Sequence, residues 1–204
     1  MNSALNIIRN EHRSLAAILH ALRALVEGIR DGGSRSDFDG LRTMLYYLDA
    51  FSSRLHHPQE DEFLFQPLRA CGGEAVEIID DLEDEHARGA AAMRSLEQAL
   101  LRYEAGGKRE FVAFATAVEG FCDFYFQHMH KEETLAMPLA EKLFSAREWA
   151  KIDAAWAAAH EAGGAVEEDR EFRNLCSRIL ARVPAQPAHR RRRGDGGPEA
   201  PNAA

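Results

Sequence analysis

The chain has 204 residues, 46% of them hydrophobic, enough for one domain with a substantial core. The formal charge of −8 is unevenly spread: the stretch from Arg182 holds five Arg against Asp195 and Glu199, leaving 20 basic and 31 acidic residues in 1–181. An acidic body disfavours nucleic acid and anionic membranes as partners, and Cys71, Cys122 and Cys176 are too few and scattered for a thiolate metal motif.

The same three cysteines fit the reduced thiols of a cytoplasmic protein. The first fourteen residues carry no apolar signal core, and no run approaches the roughly 18 apolar residues of a membrane span.

Apolar residues spaced by three and four predict amphipathic helices throughout, with no strand alternation. Leu5, Ile8, His12, Leu15 and Leu19 share a face of the first helix, which ends at Asp31-Gly32-Gly33-Ser34. The second starts at Ser36 or Asp37, either a good N-cap, and runs through Met44, Leu48, Phe51 and Leu55 to about Arg69. Pro58 lies inside it and is expected to kink it or loosen one turn. After Cys71-Gly72-Gly73 the third helix carries Ile78, Ile79, Leu82, His86, Met93, Leu96 and Leu100 as far as Gly106-Gly107. The fourth runs from about Arg109 through Phe114, Val118, Phe121, Phe124, His128, Glu132 and Leu135 to about Phe144. Two shorter helices follow, near 146–160 and 165–181. From Arg182 the text is rich in Pro, Gly and Ala, lacks large apolar residues and is expected to be disordered, its Arg190–Arg193 run a solvated basic tail. Short Gly-containing breaks favour antiparallel neighbours. The expected fold is therefore all-α: an up-down-up-down four-helix bundle with its C-terminal helices over 1–181, then a tail over 182–204.

Six residues stand out against this frame: His12, His56, Glu60, His86, His128 and Glu132. His56/Glu60 and His128/Glu132 share a spacing of four, which puts each pair on one helix face, a turn apart. Counted from the turns, the six lie at one depth. His12 is about 18–20 residues before the first turn and His56 about as far after it. His56 and Glu60 are about 11–15 residues before the second turn and His86 about 13 after it. His86 is about 19–20 residues before the third turn, and His128 and Glu132 are about 20–24 after it. Each His also sits on an apolar stripe, where an unpartnered polar group costs on the order of 1–3 kcal/mol. A hydrogen-bonded core network would explain any one of them; four imidazoles and two carboxylates in one layer point to a metal cage. Nitrogen and oxygen donors without thiolate suit iron, manganese or zinc. Two His on each of two ions, with both Glu bridging, leave a position open for a small molecule.

The order and local wording resemble the hemerythrin-like, or HHE cation-binding, domain family. The motifs are Asn10-Glu11-His12, His56-His57-Pro58-Gln59-Glu60-Asp61-Glu62-Phe63-Leu64-Phe65, Asp84-Glu85-His86 with Gly89, and His128-Met129-His130-Lys131-Glu132-Glu133 ending at Pro138. The resemblance covers about residues 5–145. It implies a four-helix bundle with a non-haem centre of two Fe ions, oxo- or hydroxo-bridged, held by those six residues. The oxygen-carrying branch has a second His four residues after the third-helix His, where this chain has Ala90; the match is closer to the four-His, two-Glu bacterial type. That implies two similarly coordinated irons and a small diatomic or peroxide ligand as partner, with a role in oxidative or nitrosative stress defence or iron-centre repair, the chain acting as monomer or homodimer. Reversible oxygen binding, or iron storage and metal binding without turnover, are the alternatives.

His57 and His130 lie about 100° and 200° around the helix from His56 and His128 and are expected to face away from the centre. Sliding the first pair by one would give His57 and Asp61, but the run from Glu60 to Phe65 fits the family wording better. His20 and His160 read as ordinary polar residues, and Cys122 as a core residue. Glu83 and His86 make a single Glu-x-x-His, whereas the ferritin-type fold needs two.

Overall fold

The computed structural model describes residues 3–32, 36–161 and 165–181, with side chains placed outside 160–169. Among them there are helices, turns and no strand. We number six helices: α1 (Ser3–Arg30), α2 (38–70), α3 (Glu74–Gly106), α4 (108–143), α5 (Ala146–Glu161) and α6 (Ala165–Leu180). The stretch read as a disordered tail, 182–204, lies outside the described residues.

Local chemistry sets the helix ends. Asp37 caps α2, its carboxylate accepting from Gly40 N at 2.9 Å, which decides between the two N-cap candidates. Between α3 and α4 the chain reverses at Gly107 alone, whose φ of 65° lies in the left-handed region that residues with a Cβ avoid.

Helices α2 and α4 are not regular throughout. Helix α2 widens into π turns at Ser52–His56 and Asp61–Phe65, and α4 at Glu132–Ala136. The three turns have one cause. Each closes on the residue before a proline: His57 N–H donates to Ser52 O, Gln66 N–H to Asp61 O, and Met137 N–H to Glu132 O. The prolines that follow, Pro58, Pro67 and Pro138, have no N–H to give, and their rings would clash with the carbonyl four residues back. A five-residue turn moves that carbonyl aside without ending the helix. The loosened turn expected at Pro58 is thus one of three. The turn at Glu132–Ala136 also corrects the fourth helix's apolar face: Leu135 is rotated outward and exposed, while Ala136 and Met137 are buried.

Helices α1–α4 form the four-helix bundle, with α1 against α2 and α4, and α3 against α2 and α4. The core comes in two parts. One holds Leu15, Leu19, Leu48, Met93, Leu96, Val118 and Phe121; the other holds Leu5, Ile8, Leu64, Phe65, Ile79, Leu82 and Met137. Along α1 the boundary falls between Ile8 and Leu15, and along α3 between Leu82 and Met93. His12 and His86 occupy those intervals, so a polar layer divides the apolar bundle. Helices α5 and α6 fold back on it. Trp149, Ile152 and Trp156 of α5 join the second core part, and Phe172, Cys176 and Ile179 of α6 join the first. No described helix is long and apolar enough to cross a membrane.

Candidate metal centre

The dividing layer is where the six sequence-selected residues meet. His12 Nε2 lies 3.1 Å from Glu132 Oε2 and 3.6 Å from Glu60 Oε1. His56 Nε2 lies 3.5 Å from Glu60 Oε2. His86 Nε2 faces both acids, 3.9 Å from Glu60 Oε2 and 3.7 Å from Glu132 Oε1. His128 Nε2 is 3.2 Å from Glu132 Oε1. Glu132 therefore turns one oxygen to His12 and the other to His86 and His128. Glu60 is shared in the same way between His12 on one side and His56 and His86 on the other.

Every one of those atoms is sealed from solvent, and none has a hydrogen-bond partner: four imidazole Nε2 atoms and four carboxylate oxygens. Each such orphan ordinarily costs about 1–3 kcal/mol. Eight gathered in one buried layer fit bound cations, whose bonds to lone pairs would offset that cost. The donor set, imidazole and carboxylate without sulfur, suits iron, manganese or zinc.

The far side of each ring is held as firmly as the near side is free. His12 Nδ1 pairs with Glu133 at 2.8 Å, His56 Nδ1 with Glu11 at 2.9 Å, His86 Nδ1 with Asp61 at 3.0 Å and His128 Nδ1 with Glu85 at 2.9 Å. With Nδ1 held by an acid, each ring turns its Nε2 inward, the arrangement that orients metal-ligating imidazoles. The four pairs run round the bundle as a ring: the acid on α1 holds the His of α2, that on α2 the His of α3, that on α3 the His of α4, and that on α4 the His of α1. Each acid is also the chain neighbour of an inward residue (Glu11 of His12, Asp61 of Glu60, Glu85 of His86, Glu133 of Glu132). All four stand in the motifs quoted above, Asp61 also as an alternative ligand, but their orienting role was missed in the sequence, although the adjacent acid repeated on every helix was a usable signal.

Charge in the layer is set by competition between burial and contact. Burial works against a proton on His12, but Glu132, Glu133 and Glu60 outweigh it and hold the imidazole well above its ordinary pKa. His86 follows the same pattern, burial opposed and overcome by Asp61 and Glu132, and rises to about 10. For His56 burial wins and pushes it down to about 4. Burial would raise Glu132, yet His128, His12 and His86 hold it well below the usual carboxylate range. Without metal, protons on the imidazoles neutralise the central carboxylate; a bound cation would take over that role.

Of the other candidates, His130 and His20 are exposed as expected, His20 packing on Phe126 at 4.7 Å. The side chain of His160 lies outside the described residues. Glu83 pairs instead with Arg69 at two points, both contacts 2.8 Å, so of the lone Glu-x-x-His only His86 belongs to the site. Cys122 is a core residue whose Sγ approaches Leu19 O at 3.7 Å, its pKa pushed up to about 12 by burial. Ala90 is exposed, and the inward residue one turn beyond His86 is Gly89, where a Cβ would stand 3.1 Å from Tyr125 Oη.

His57 departs from expectation. Its ring stacks on that of His86 with centroids 3.9 Å apart and planes 10° apart, and meets His128 edge-on at 5.8 Å. The error came from assuming 100° per residue. The π turn at Ser52–His56 winds less per residue, so consecutive histidines straddle the centre: His56 toward His12, and His57 toward His86 and His128.

The family model for the hemerythrin HHE cation binding domain matches residues 3–140. The chain therefore belongs to the hemerythrin HHE cation-binding domain family. Neither a curated protein nor a solved structure gives a significant match.

Proposed function

We propose that the six residues hold two iron ions, His12 and His56 on one, His86 and His128 on the other, with Glu60 and Glu132 shared between them. On this reading the chain is a redox-active non-haem di-iron protein whose small-molecule partner is O2, peroxide or NO, acting in oxidative or nitrosative stress defence or iron-centre repair. The observation that supports it is the convergence of eight buried, unpartnered donor atoms backed by four orienting acids.

When bound, the iron pair supplies electrons to a small oxidant. The chain's own residues do the rest. Two apolar core parts, above and below, exclude bulk water from the layer. The acids Glu133, Glu11, Asp61 and Glu85 fix which ring nitrogen carries the proton. On the His56 side, Phe51 stacks on the imidazole at 5.9 Å and is itself covered by Phe172 of α6 at 5.5 Å. Phe51 and Glu11 also line a cleft of about 310 Å³ with Tyr47 and Arg173.

Metal analysis of the purified protein tests the assignment, with His86→Ala as the perturbation and the exposed His130→Ala as the control. The parent and the control should carry two irons per chain and His86→Ala far less. Full iron in His86→Ala overturns the reading.

A further inference from the structure

Resting on the di-iron reading, we propose that His57 is a seventh ligand, giving the ion at His86 and His128 a third imidazole and making the two ions unequal. The geometry separates His57 from an ordinary buried histidine. Its Nε2 is sealed from solvent and has no hydrogen-bond partner, a state it shares with the four ligand imidazoles and with no other histidine among the described residues. Ligating nitrogens of His57, His86 and His128 lie within 4.8 Å of one another. Two imidazole nitrogens on one ion, each at about 2.1 Å, span at most about 4.2 Å, so a small closure completes the set. A second donor cluster, His12, His56, Glu60 and Glu132, gathers separately on the other side. The structure therefore divides the donors into two groups, each with its own imidazoles.

Helix α3 leaves this place open. Ala90, where the resemblance puts the second histidine of the oxygen-carrying branch, faces solvent, and Gly89 is closely approached from across the bundle by Tyr125, whose ring in turn lies parallel to His57 at 6.4 Å. A side chain from α2 can enter because the π turn ahead of Pro58 brings His57 inward beside His56. The fifth imidazole thus arrives from a different helix, through a proline rather than through a histidine four residues along α3.

His57 differs from the other four in one way. No acid holds its ring among the described residues; ring contacts position it, stacking on His86 and Tyr125 and an edge-on contact with His128. A ligand held by stacking is the one most easily displaced, which marks the His86/His128 ion as the one whose coordination changes when a small molecule binds.

The test is Mössbauer spectroscopy of the full chain loaded with 57Fe and oxidised in air, with iron content measured on the same samples. The parent should hold two irons and show two quadrupole doublets of equal area. His57→Phe keeps the stacking face and removes the nitrogen; it should keep both irons and collapse the pair toward one doublet. His57→Gln is read the same way if the Phe variant fails to fold. Two doublets persisting in a folded variant, or a single doublet in the parent, overturns the seventh ligand while leaving the di-iron reading intact. A parent without two irons overturns the di-iron reading itself, and the seventh ligand with it.

Discussion

The ring of supporting acids makes a graded prediction. Removing a carboxylate that orients a ligating imidazole costs about 10–100-fold in metal affinity, or roughly 1.4–2.7 kcal/mol at 1.36 kcal/mol per decade. Where in that range each acid falls follows from its surroundings. Glu85 and Glu11 have side chains only 11% and 13% exposed, so little water competes for the imidazole proton. Asp61 and Glu133 are 40% and 41% exposed, and solvent screens them. Glu85→Ala and Glu11→Ala should therefore approach the hundredfold end, and Asp61→Ala and Glu133→Ala stay near tenfold or below. Glu85→Ala does not orphan a cation, because Lys131 keeps Asp81 at 2.5 Å. Glu85→Gln retains an oxygen that accepts from His128 Nδ1 and should cost less than Glu85→Ala. Iron affinity is read by competition with a chelator of known strength, at fixed pH and salt. If Glu133→Ala weakens iron as much as Glu85→Ala, burial is not what gives these acids their hold. If none of the four changes affinity, the ring is incidental.

Stripping the metal should lower the melting temperature by several degrees, because a ligand bound only by the native state stabilises it; identical melts for the two forms count against a buried centre. Metal uptake by the stripped protein at pH 7 should release protons, since His12 and His86 hold theirs above neutrality and must give them up, and affinity should rise with pH up to about 10, where His86 titrates; calorimetry in buffers of differing ionisation heat that finds no proton release refutes this. Phe172→Ala should cost about 3–5 kcal/mol of stability and speed iron loss to a chelator, as it uncovers Phe51 and through it His56; an unchanged extraction rate would show that α6 does not shield the site. Mixing the reduced protein with O2 in a stopped flow should give rapid oxidation rather than reversible oxygen uptake, and a stable reversible oxygenated spectrum would return the protein to oxygen carriage.

The bundle and its polar layer were legible in the sequence because both rest on regular helices. Apolar spacing gave the buried face of α1 from Leu5 to Leu19, and counting from glycine breaks put His12, His56, His86 and His128 level. That counting works because rise per residue barely changes when a helix widens by one turn, so depth survives a local irregularity. Direction does not. Which way a side chain faces depends on accumulated rotation, and a π turn subtracts from it at once. Leu135 and His57 were both misplaced for this reason, Leu135 inside and His57 directly after a turn that a following proline forces open.

The prolines thus carry information that periodicity cannot. Pro58, Pro67 and Pro138 stand within helices that continue past them, and each is preceded by a turn closing five residues back. All three turns adjoin the polar layer: Ser52–His56 ends on His56, Asp61–Phe65 follows directly on Glu60, and Glu132–Ala136 begins on Glu132, all three of them proposed ligands. A regular helix offers the centre one residue per turn from each face. Widening the turn lets α2 offer His56 and His57 side by side to two different groups of donors. Moving the proline, as in Pro58→Ala, would let a regular turn reform, restore about 100° between the two histidines and carry His57 off the His86 ring. If the π turn is what places His57, the Pro58→Ala protein should reproduce the Mössbauer spectrum of His57→Phe with the histidine still present. A Pro58→Ala spectrum identical to the parent's would mean that stacking on His86 and Tyr125, and not the proline, holds the ring in place.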